Sequence, residues 1–123
     1  MKKSAPGKAY RVRRSVACRD DLDRLFDHLL QSYLDLGEPM REAFERAVAR
    51  VGDVERSIDG LGKVPHQGTL WPEILEHLLW ITKNRAILYF TVDDAARTVD
   101  VLAVFFGGQD HKTHMLERIR RPD

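Results

Sequence analysis

The sequence has little of what would tie the chain to an oxidising compartment or to a membrane. Its one cysteine, Cys18, has no second cysteine to pair with, which excludes an intrachain disulfide and favours a reducing compartment. No apolar run approaches the ~20 residues that a membrane-spanning helix requires, and no apolar stretch follows the basic residues at the start, as a secretion signal would need. We therefore expect a soluble, cytoplasmic protein without a membrane partner.

An excess of charge of one sign is also absent from the chain as a whole. The net charge is +1, although residues 1–14 carry six basic and no acidic side chains. Domains that bind nucleic acid through a basic patch are usually strongly positive, so we expect no sequence-specific DNA binding by this protein alone. The 123 residues, 43% of them hydrophobic, suit one globular domain. We expect a flexible basic lead-in over residues 1–9 and a single domain over residues 10–119.

Hydrophobic periodicity predicts a strand followed by two helices. The stretch YRVRRSVA alternates like a short edge strand. Apolar residues then recur at three- and four-residue spacing, first from Ser15, a predicted N-cap, to Gly37, and again from Pro39 to Gly60. The linker between these two segments is only about three residues long, so we expect an antiparallel helical hairpin.

The second half of the chain has a β pattern. Residues 60–77 are rich in turn formers, and WPEILEH within them fits either a short helix or an extended approach to a strand. The segments HLLWIT, RAILYFTV and TVDVLAVFF are joined by short turns and predict an antiparallel meander. A short helix capped by Asp110 should follow. The predicted fold is α+β, in the order β-α-α-β-β-β-α, with a helical hairpin on one face of an antiparallel sheet.

The last two predicted strands are apolar on both faces. In the third strand of the meander, strict alternation places one set of residues against the other: Val99, Val101, Ala103 and Phe105 oppose Leu102, Val104 and Phe106. One helical hairpin covers only one face, and monomers rarely expose large apolar patches. Either the C-terminal helix and residues 60–77 cover the second face, or a protein partner does. The residues that we predict to bind a partner are Trp80, Arg85, Leu102, Phe106 and Asp110.

Two other groups of residues have simpler interpretations. Asp110, His111 and His114 have a spacing that could hold a metal, but a zinc site needs a further ligand, so we expect no metal and no cofactor. Cys18 lies on the apolar stripe of the first helix, where we expect a small buried residue rather than a reactive thiolate.

The segments LYFTVDDAARTVDVLAVFFGGQD and RRSVACRDDLDRLFDHLLQSY resemble the RelE/ParE superfamily of small bacterial toxins. The resemblance covers residues 10–119 and implies an N-terminal strand, a helical hairpin and a three-stranded meander. Two activities occur on that fold. RelE-like toxins are ribosome-dependent ribonucleases that cut messenger RNA, whereas ParE-like toxins poison DNA gyrase and have no nuclease site.

The resemblance also indicates which residues a ribonuclease would use. RelE-like toxins place lysines and arginines on the sheet and often a tyrosine or histidine near the C-terminus. Where one nuclease arginine would stand, this chain has Ala86 or Ile87, with Arg85 slightly early. Where another would follow the last strand, it has glycine and glutamine at 107–109. By resemblance, His111 and His114 remain as candidates for the acid or base, and Lys83 and Arg85 as candidates for binding the phosphate. A ribonuclease is expected to use Lys83, Arg85 and His111.

These departures favour the ParE-like branch. By resemblance, we expect the toxin of a type II toxin–antitoxin, or plasmid stabilisation, module. It would inhibit a target such as DNA gyrase by protein–protein contact rather than by catalysis, and a ribbon-helix-helix antitoxin would neutralise it. The alternatives are a RelE-like endoribonuclease and a non-toxic binding module on the same fold.

Overall fold

The computed structural model describes residues 9–107 and 110–120. Most of the predicted lead-in, residues 1–8, lies outside this part, as do two of the three residues at 107–109. The elements in chain order are β1 (Arg11–Arg14), α1 (Val16–Asp35), α2 (Met40–Gly60), β2 (Thr69–Leu70), β3 (Leu78–Lys83), β4 (Ala86–Asp93), β5 (Thr98–Phe106) and α3 (His111–Arg120). The predicted α+β order is confirmed, with the two-residue strand β2 added to it.

The five strands form one mixed sheet in the order β1-β5-β4-β3-β2. The meander β3-β4-β5 is antiparallel, as predicted, and β2 extends it at one edge. At the other edge β1 pairs with β5 in parallel. A parallel pair requires a long crossover connection, and the helical hairpin with the strands after it provides one. The sheet is therefore mixed, and not antiparallel throughout.

Local signals set the helix ends. The Ser15 hydroxyl accepts a hydrogen bond from the backbone N–H of Cys18 at 3.0 Å, so the predicted N-cap of α1 is confirmed. Gly37 has a φ of +91°, a left-handed conformation that favours glycine and ends the first helix of the hairpin. Pro39 is extended and directly precedes the first helical residue, Met40.

The main core lies between the hairpin and the sheet. It joins residues of α1 and α2 with residues of the three long strands, among them Cys18, Leu22, Leu25, Val54, Ile58, Leu88, Phe90, Val99 and Val101. Full burial of one such large side chain stabilises the fold by about 1.5–3 kcal/mol. This packing holds the hairpin firmly on one face of the sheet.

A β-bulge in β5 changes which side chains face the hairpin. Tyr89 pairs with Ala103 while Phe90 pairs with Val101, so Leu102 has no partner on β4. One extra residue reverses the facing of every residue after it. Ala103 and Phe105 consequently lie in a different cluster from Val101, and the predicted strict alternation along β5 is wrong after Leu102.

The second face of the sheet is covered by the chain's own residues. Leu78, Tyr89, Phe105 and Met115 are buried there, packed with the partly buried residues Trp71, Ile74, Trp80, Leu102 and Ile119. Residues 71–77 form turns after the extended β2 and contain no helix. Of the two predicted alternatives, cover by the chain's own residues is therefore the correct one, and no partner is needed to cover this face. None of the described helices is long and apolar enough to cross a membrane.

Candidate protein-interaction site

An open groove of about 1000 Å³ lies along β1, between that strand and the helical hairpin. Its apolar residues come from β1, α1 and α2 and are Val12, Leu22, Phe26, Val48 and Val51. Its charged residues are Arg13, Arg14, Arg19, Asp23, Glu55 and Asp59. We call this feature the β1 groove. It combines an apolar floor with charges of both signs, as protein-binding surfaces do.

The strand β1 leaves one backbone edge without a strand partner among the described residues. The N–H groups of Arg11 and Ser15 donate to Arg97 and Val101 carbonyl oxygens at 2.9 and 3.0 Å, on the β5 side. Backbone polar groups alternate in direction along a strand, so those of Val12 and Arg14 point away from β5. An edge of this kind is a template for an added strand.

Arg14 ties the strand to the second helix of the hairpin. Its guanidinium donates to Glu55 at 2.8 Å and to Asp59 at 3.1 Å. Partial burial works to lower the pKa of Arg14, but the hydrogen bonds to Glu55 and Asp59 outweigh burial and raise it. Arg19, also in the groove, is exposed and makes no ion pair with a described residue. Arg14 is thus paired within the fold, and Arg19 is available to pair with a ligand.

An exposed apolar stripe continues the groove along α2. Met40, Phe44 and Val48 are spaced four residues apart and are 59%, 49% and 49% exposed. The Phe44 ring meets Phe26 edge to face, with centroids 5.5 Å apart. Val48 belongs to both surfaces, and Phe26 of the groove contacts Phe44 of the stripe, so the two form one continuous apolar surface. Continuous exposed apolar area is typical of interaction sites.

A cluster of aromatic residues occupies the second face of the sheet. The Tyr89 hydroxyl and Nδ1 of His111 are 2.8 Å apart, and the rings of Trp80 and His111 are 4.9 Å apart. The ammonium of Lys112 lies 5.5 Å from the Trp80 ring centroid. Burial raises the pKa of Tyr89 to about 12 and lowers the pKa of His111. At neutral pH the tyrosine is therefore protonated and the histidine is uncharged.

The residues that a ribonuclease would need are not brought together. Arg85 lines a cavity of about 170 Å³ with residues of both hairpin helices. His111 contacts Tyr89 and Trp80 on the opposite face of the sheet. Lys83 is exposed at the end of β3. The cavity is lined by Leu25, His28, Leu29, Arg50, Val54, Asn84, Arg85, Ala86, Phe106 and Gly107, and we call it the arginine pocket.

The predicted partner-binding residues are also spread over the molecule. Trp80 belongs to the aromatic cluster, and the carbonyl of Leu102, the bulge residue, accepts from the Ser15 hydroxyl at 3.2 Å. Arg85 and Phe106 both line the arginine pocket. Asp110 caps α3 by accepting from the backbone N–H and the hydroxyl of Thr113 at 3.3 and 2.7 Å. None of these five residues lines the β1 groove.

One buried ion pair was missed by the sequence reasoning. Arg118 on α3 donates to both carboxylate oxygens of Asp21 on α1, at 2.7 and 2.9 Å. The same carboxylate accepts from the backbone N–H of Val104 at 2.9 Å, on the part of β5 that extends beyond β1. The available signal was an acidic residue beside Cys18, Leu22 and Leu25 on the apolar face of α1.

Within residues 9–107 and 110–120, no three histidine, cysteine, aspartate or glutamate residues lie close enough together to hold a metal ion. The Asp110, His111 and His114 side chains point to separate contacts. Asp110 caps the helix, His111 contacts Tyr89, and the His114 ring stacks on Phe105 with centroids 5.9 Å apart.

No model of a known protein family matches the chain, and no curated protein matches it in sequence. The solved structures that match its fold include two toxin–antitoxin systems. The chromosomal ParDE system from P. aeruginosa matches with a TM-score of 0.61 and 18% identity, over 80% of this chain and 96% of that one. The toxin–antitoxin complex RelBE2 from Mycobacterium tuberculosis matches with a TM-score of 0.51 and 23% identity, over 82% and 94%. The chain therefore has the RelE/ParE toxin fold, as the resemblance implied.

Proposed function

We propose that this protein is the toxin of a toxin–antitoxin pair, and that its antitoxin neutralises it by binding along the β1 groove. The observation that carries the proposal is the open groove. The chain that contains it has the same fold as chains in the toxin–antitoxin structures ParDE and RelBE2. A free strand edge lies beside apolar side chains there, in a molecule whose second sheet face is already covered.

The groove suits a peptide that is extended at one end and helical at the other. An extended segment would pair with the backbone groups of Val12 and Arg14. A following amphipathic helix would place its apolar face on Phe44 and Val48, which are exposed four residues apart on α2, and on the neighbouring Phe26. An acidic residue of the antitoxin would meet Arg19. A ribbon-helix-helix protein with a long amphipathic tail supplies both segments.

We propose the ParE-like mode of action, in which the protein inhibits a cytoplasmic target such as DNA gyrase by direct contact. The separation of Arg85 from His111 by the sheet supports this choice. Cleavage of RNA through its 2′-hydroxyl needs a base, a cation for the phosphate and an acid within reach of one phosphodiester. Of the residues that the resemblance assigns to these roles, Arg85 and His111 do not lie on one face.

A RelE-like ribonuclease is the second candidate, and the aromatic cluster is what favours it. Neutral His111 lies 2.8 Å from the Tyr89 hydroxyl, next to the Lys112 ammonium over Trp80. A neutral imidazole can accept a proton, a lysine can bind phosphate, and an indole can stack on a base. This set uses His111 without Lys83 or Arg85.

The two activities are separated by adding purified protein to two assays. We expect DNA gyrase supercoiling to stop while cell-free translation continues with intact message. His111→Gln should leave this inhibition unchanged, because it removes only the base of the second candidate. Cleaved message with normal supercoiling, and loss of cleavage in His111→Gln, would establish the ribonuclease instead.

The site of neutralisation is tested with Val48→Arg. This change places a charge in the apolar floor of the groove at a residue that is 49% exposed, so the fold should tolerate it. We expect cells that express the variant to stop growing even when the protein encoded by the neighbouring reading frame is present. Ala49→Arg, which adds the same charge at an exposed position outside the groove, is the control. Equal rescue of both variants by that protein would show that the antitoxin binds elsewhere.

A further inference from the structure

The arginine pocket lies at the end of the sheet where the β3–β4 turn meets the helical hairpin. It shares no residue with the β1 groove and lies on the opposite sheet face from the aromatic cluster. Its floor is apolar, since Leu25, Val54 and Ala86 are buried and Phe106 is partly buried. At about 170 Å³ it has room for one large side chain and not for a drug-sized ligand.

The charge at this pocket has one sign. Arg50 and Arg85 line it, the imidazole of His28 adds a further polar group, and no acidic residue is among its described lining residues. The only described hydrogen bond of the Arg50 guanidinium is to the backbone carbonyl of Asn84 at 3.3 Å. Among the described residues, Arg85 has neither a hydrogen bond nor an ion pair from its side chain. Both guanidinium groups therefore retain donors for an anion.

The backbone holds Arg85 in an unfavourable conformation. Asn84 and Arg85 have φ values of +50° and +64°, which is the pattern of a type I′ turn, where asparagine followed by glycine is preferred. The Asn84 side chain anchors this turn to α2 by donating to the Asp53 carbonyl at 3.1 Å and to the Ser57 hydroxyl at 2.6 Å. Arg85 therefore stands at a turn position that favours glycine, beside an apolar cavity. Backbone strain of this kind is often found at binding sites.

We propose that the arginine pocket binds an acidic peptide segment of a partner protein. One aliphatic or aromatic side chain of the segment enters the cavity, and a neighbouring carboxylate pairs with Arg85 and Arg50. Planar guanidinium groups suit carboxylates because two N–H donors match two oxygens. A nucleic acid backbone would present phosphates but no apolar group for Leu29, Val54 and Phe106, so the apolar floor favours a peptide.

This inference does not rest on the proposed function, since the pocket and the β1 groove have no residue in common. It assigns a second, separate contact surface to the molecule, one that recognises charge and shape together.

The experiment uses the full chain and capped tetrapeptides, with binding followed by the backbone amide NMR shifts of Ala86 and Phe106. We expect the peptide EDLE to bind with a Kd of about 1 mM or tighter and to weaken as salt is added. The peptides QNLQ and EDGE, which lack the charge and the apolar side chain respectively, should each bind about tenfold more weakly. Equal binding by all three peptides, or no binding of EDLE, would overturn the proposal.

Two variants and a nucleic acid complete the test. Arg85→Gly removes the guanidinium and relaxes the turn, so lost binding cannot be ascribed to misfolding, and affinity for EDLE should fall about tenfold. Lys63→Gln, which removes one exposed positive charge outside the pocket, should change affinity less than about twofold. If a single-stranded hexanucleotide shifts the same amides while EDLE does not, the pocket binds nucleic acid and the peptide proposal is wrong.

Discussion

At the scale of single residues, Asp21 is a buried carboxylate that joins three elements of the fold through hydrogen bonds. It is 3% exposed and accepts hydrogen bonds from α3 through Arg118, from β5 through Val104, and from Arg24 on its own helix. A buried carboxylate is tolerated only when its oxygens are paired. Asp21 therefore connects both sheet faces at the part of β5 that β1 does not cover.

We predict that Asp21→Ala lowers the free energy of unfolding by about 3 kcal/mol, because it leaves Arg118 and the Val104 N–H without their acceptor. The value lies at the lower end of the range for buried pairs, since the Arg118 side chain is 29% exposed and can reach water. Urea unfolding measures the change. Asp27→Ala, on the exposed side of the same helix, should stay within about 0.5 kcal/mol. Equal effects of the two substitutions would contradict this role.

His111 makes stability depend on pH. Burial, followed by the charge of Lys112, lowers its pKa below the ordinary 6.5, and Asp110 opposes this only in part. The unfolded chain then binds the proton more tightly than the folded chain does. Stability contributed by neutral His111 is complete above pH 6.5 and is lost as the pH falls from there to the lowered folded pKa.

We predict that the free energy of unfolding declines through this window in the wild type and declines less in His111→Gln. Asp94 and Asp110 have pKa values below 3.8 and titrate at lower pH. Urea unfolding at pH 7.5 and at steps below 6.5 tests the prediction, with the exposed His77→Gln as control. A slope unchanged by His111→Gln would assign the pH dependence to other groups.

At the scale of elements, α3 decides how much apolar surface the protein exposes. Its fully buried residue Met115 packs on Leu78, Tyr89 and Phe105. Without this helix the second face of the sheet would be open, and the expectation of a partner on that face would have been justified.

We predict that Met115→Asp detaches α3, because an aspartate cannot be buried there without a partner. The protein has two tryptophans, and both Trp71 and Trp80 pack on this face, so their fluorescence should shift to longer wavelength. The hydrophobic dye ANS should bind at the same time. Glu117→Ala, at an exposed position on α3, should leave both signals at wild-type values. Unshifted emission in Met115→Asp would mean that other residues cover the face.

At the scale of the whole molecule, three surfaces can be distinguished on the two sides of the sheet. The β1 groove and the arginine pocket lie on the hairpin side without a shared residue, and the aromatic cluster lies on the opposite face. Substitutions at sites that are well separated in space and share no partner usually have additive effects, and Val48 and Arg85 lie on different elements. A partner in the groove and a partner in the pocket should therefore bind without competition.

We predict that Val48→Arg and Arg85→Gly act independently. Val48→Arg should abolish neutralisation by the antitoxin and leave the affinity for EDLE unchanged. Arg85→Gly should weaken EDLE binding and leave neutralisation unchanged. In the double variant each loss should equal that of the single variant within about 0.5 kcal/mol. Growth rescue and NMR titration measure the two losses. A loss of EDLE binding in Val48→Arg would show that both surfaces form one site.

Local spacing was sufficient to predict the helices and the strands other than the two-residue β2. Ser15, Gly37 and the apolar stripe through Cys18 act over one or two helical turns, so their structural roles can be recognised without the fold. The bulge at Leu102 has no such local signal, and it reversed the facing of Ala103 and Phe105. For the same reason the predicted partner residues Leu102 and Phe106, which strict alternation places on one face, lie on opposite faces in the structure.

The sequence by itself determined the α+β order, the hairpin, the meander and the burial of Cys18, because each depends on the periodicity of neighbouring residues. Tertiary structure alone decided what covers the second face and which charges meet. Asp21 and Arg118 are far apart in the chain and only 2.7 Å apart in space. Contacts between distant segments depend on how the elements pack, and no local pattern encodes that packing.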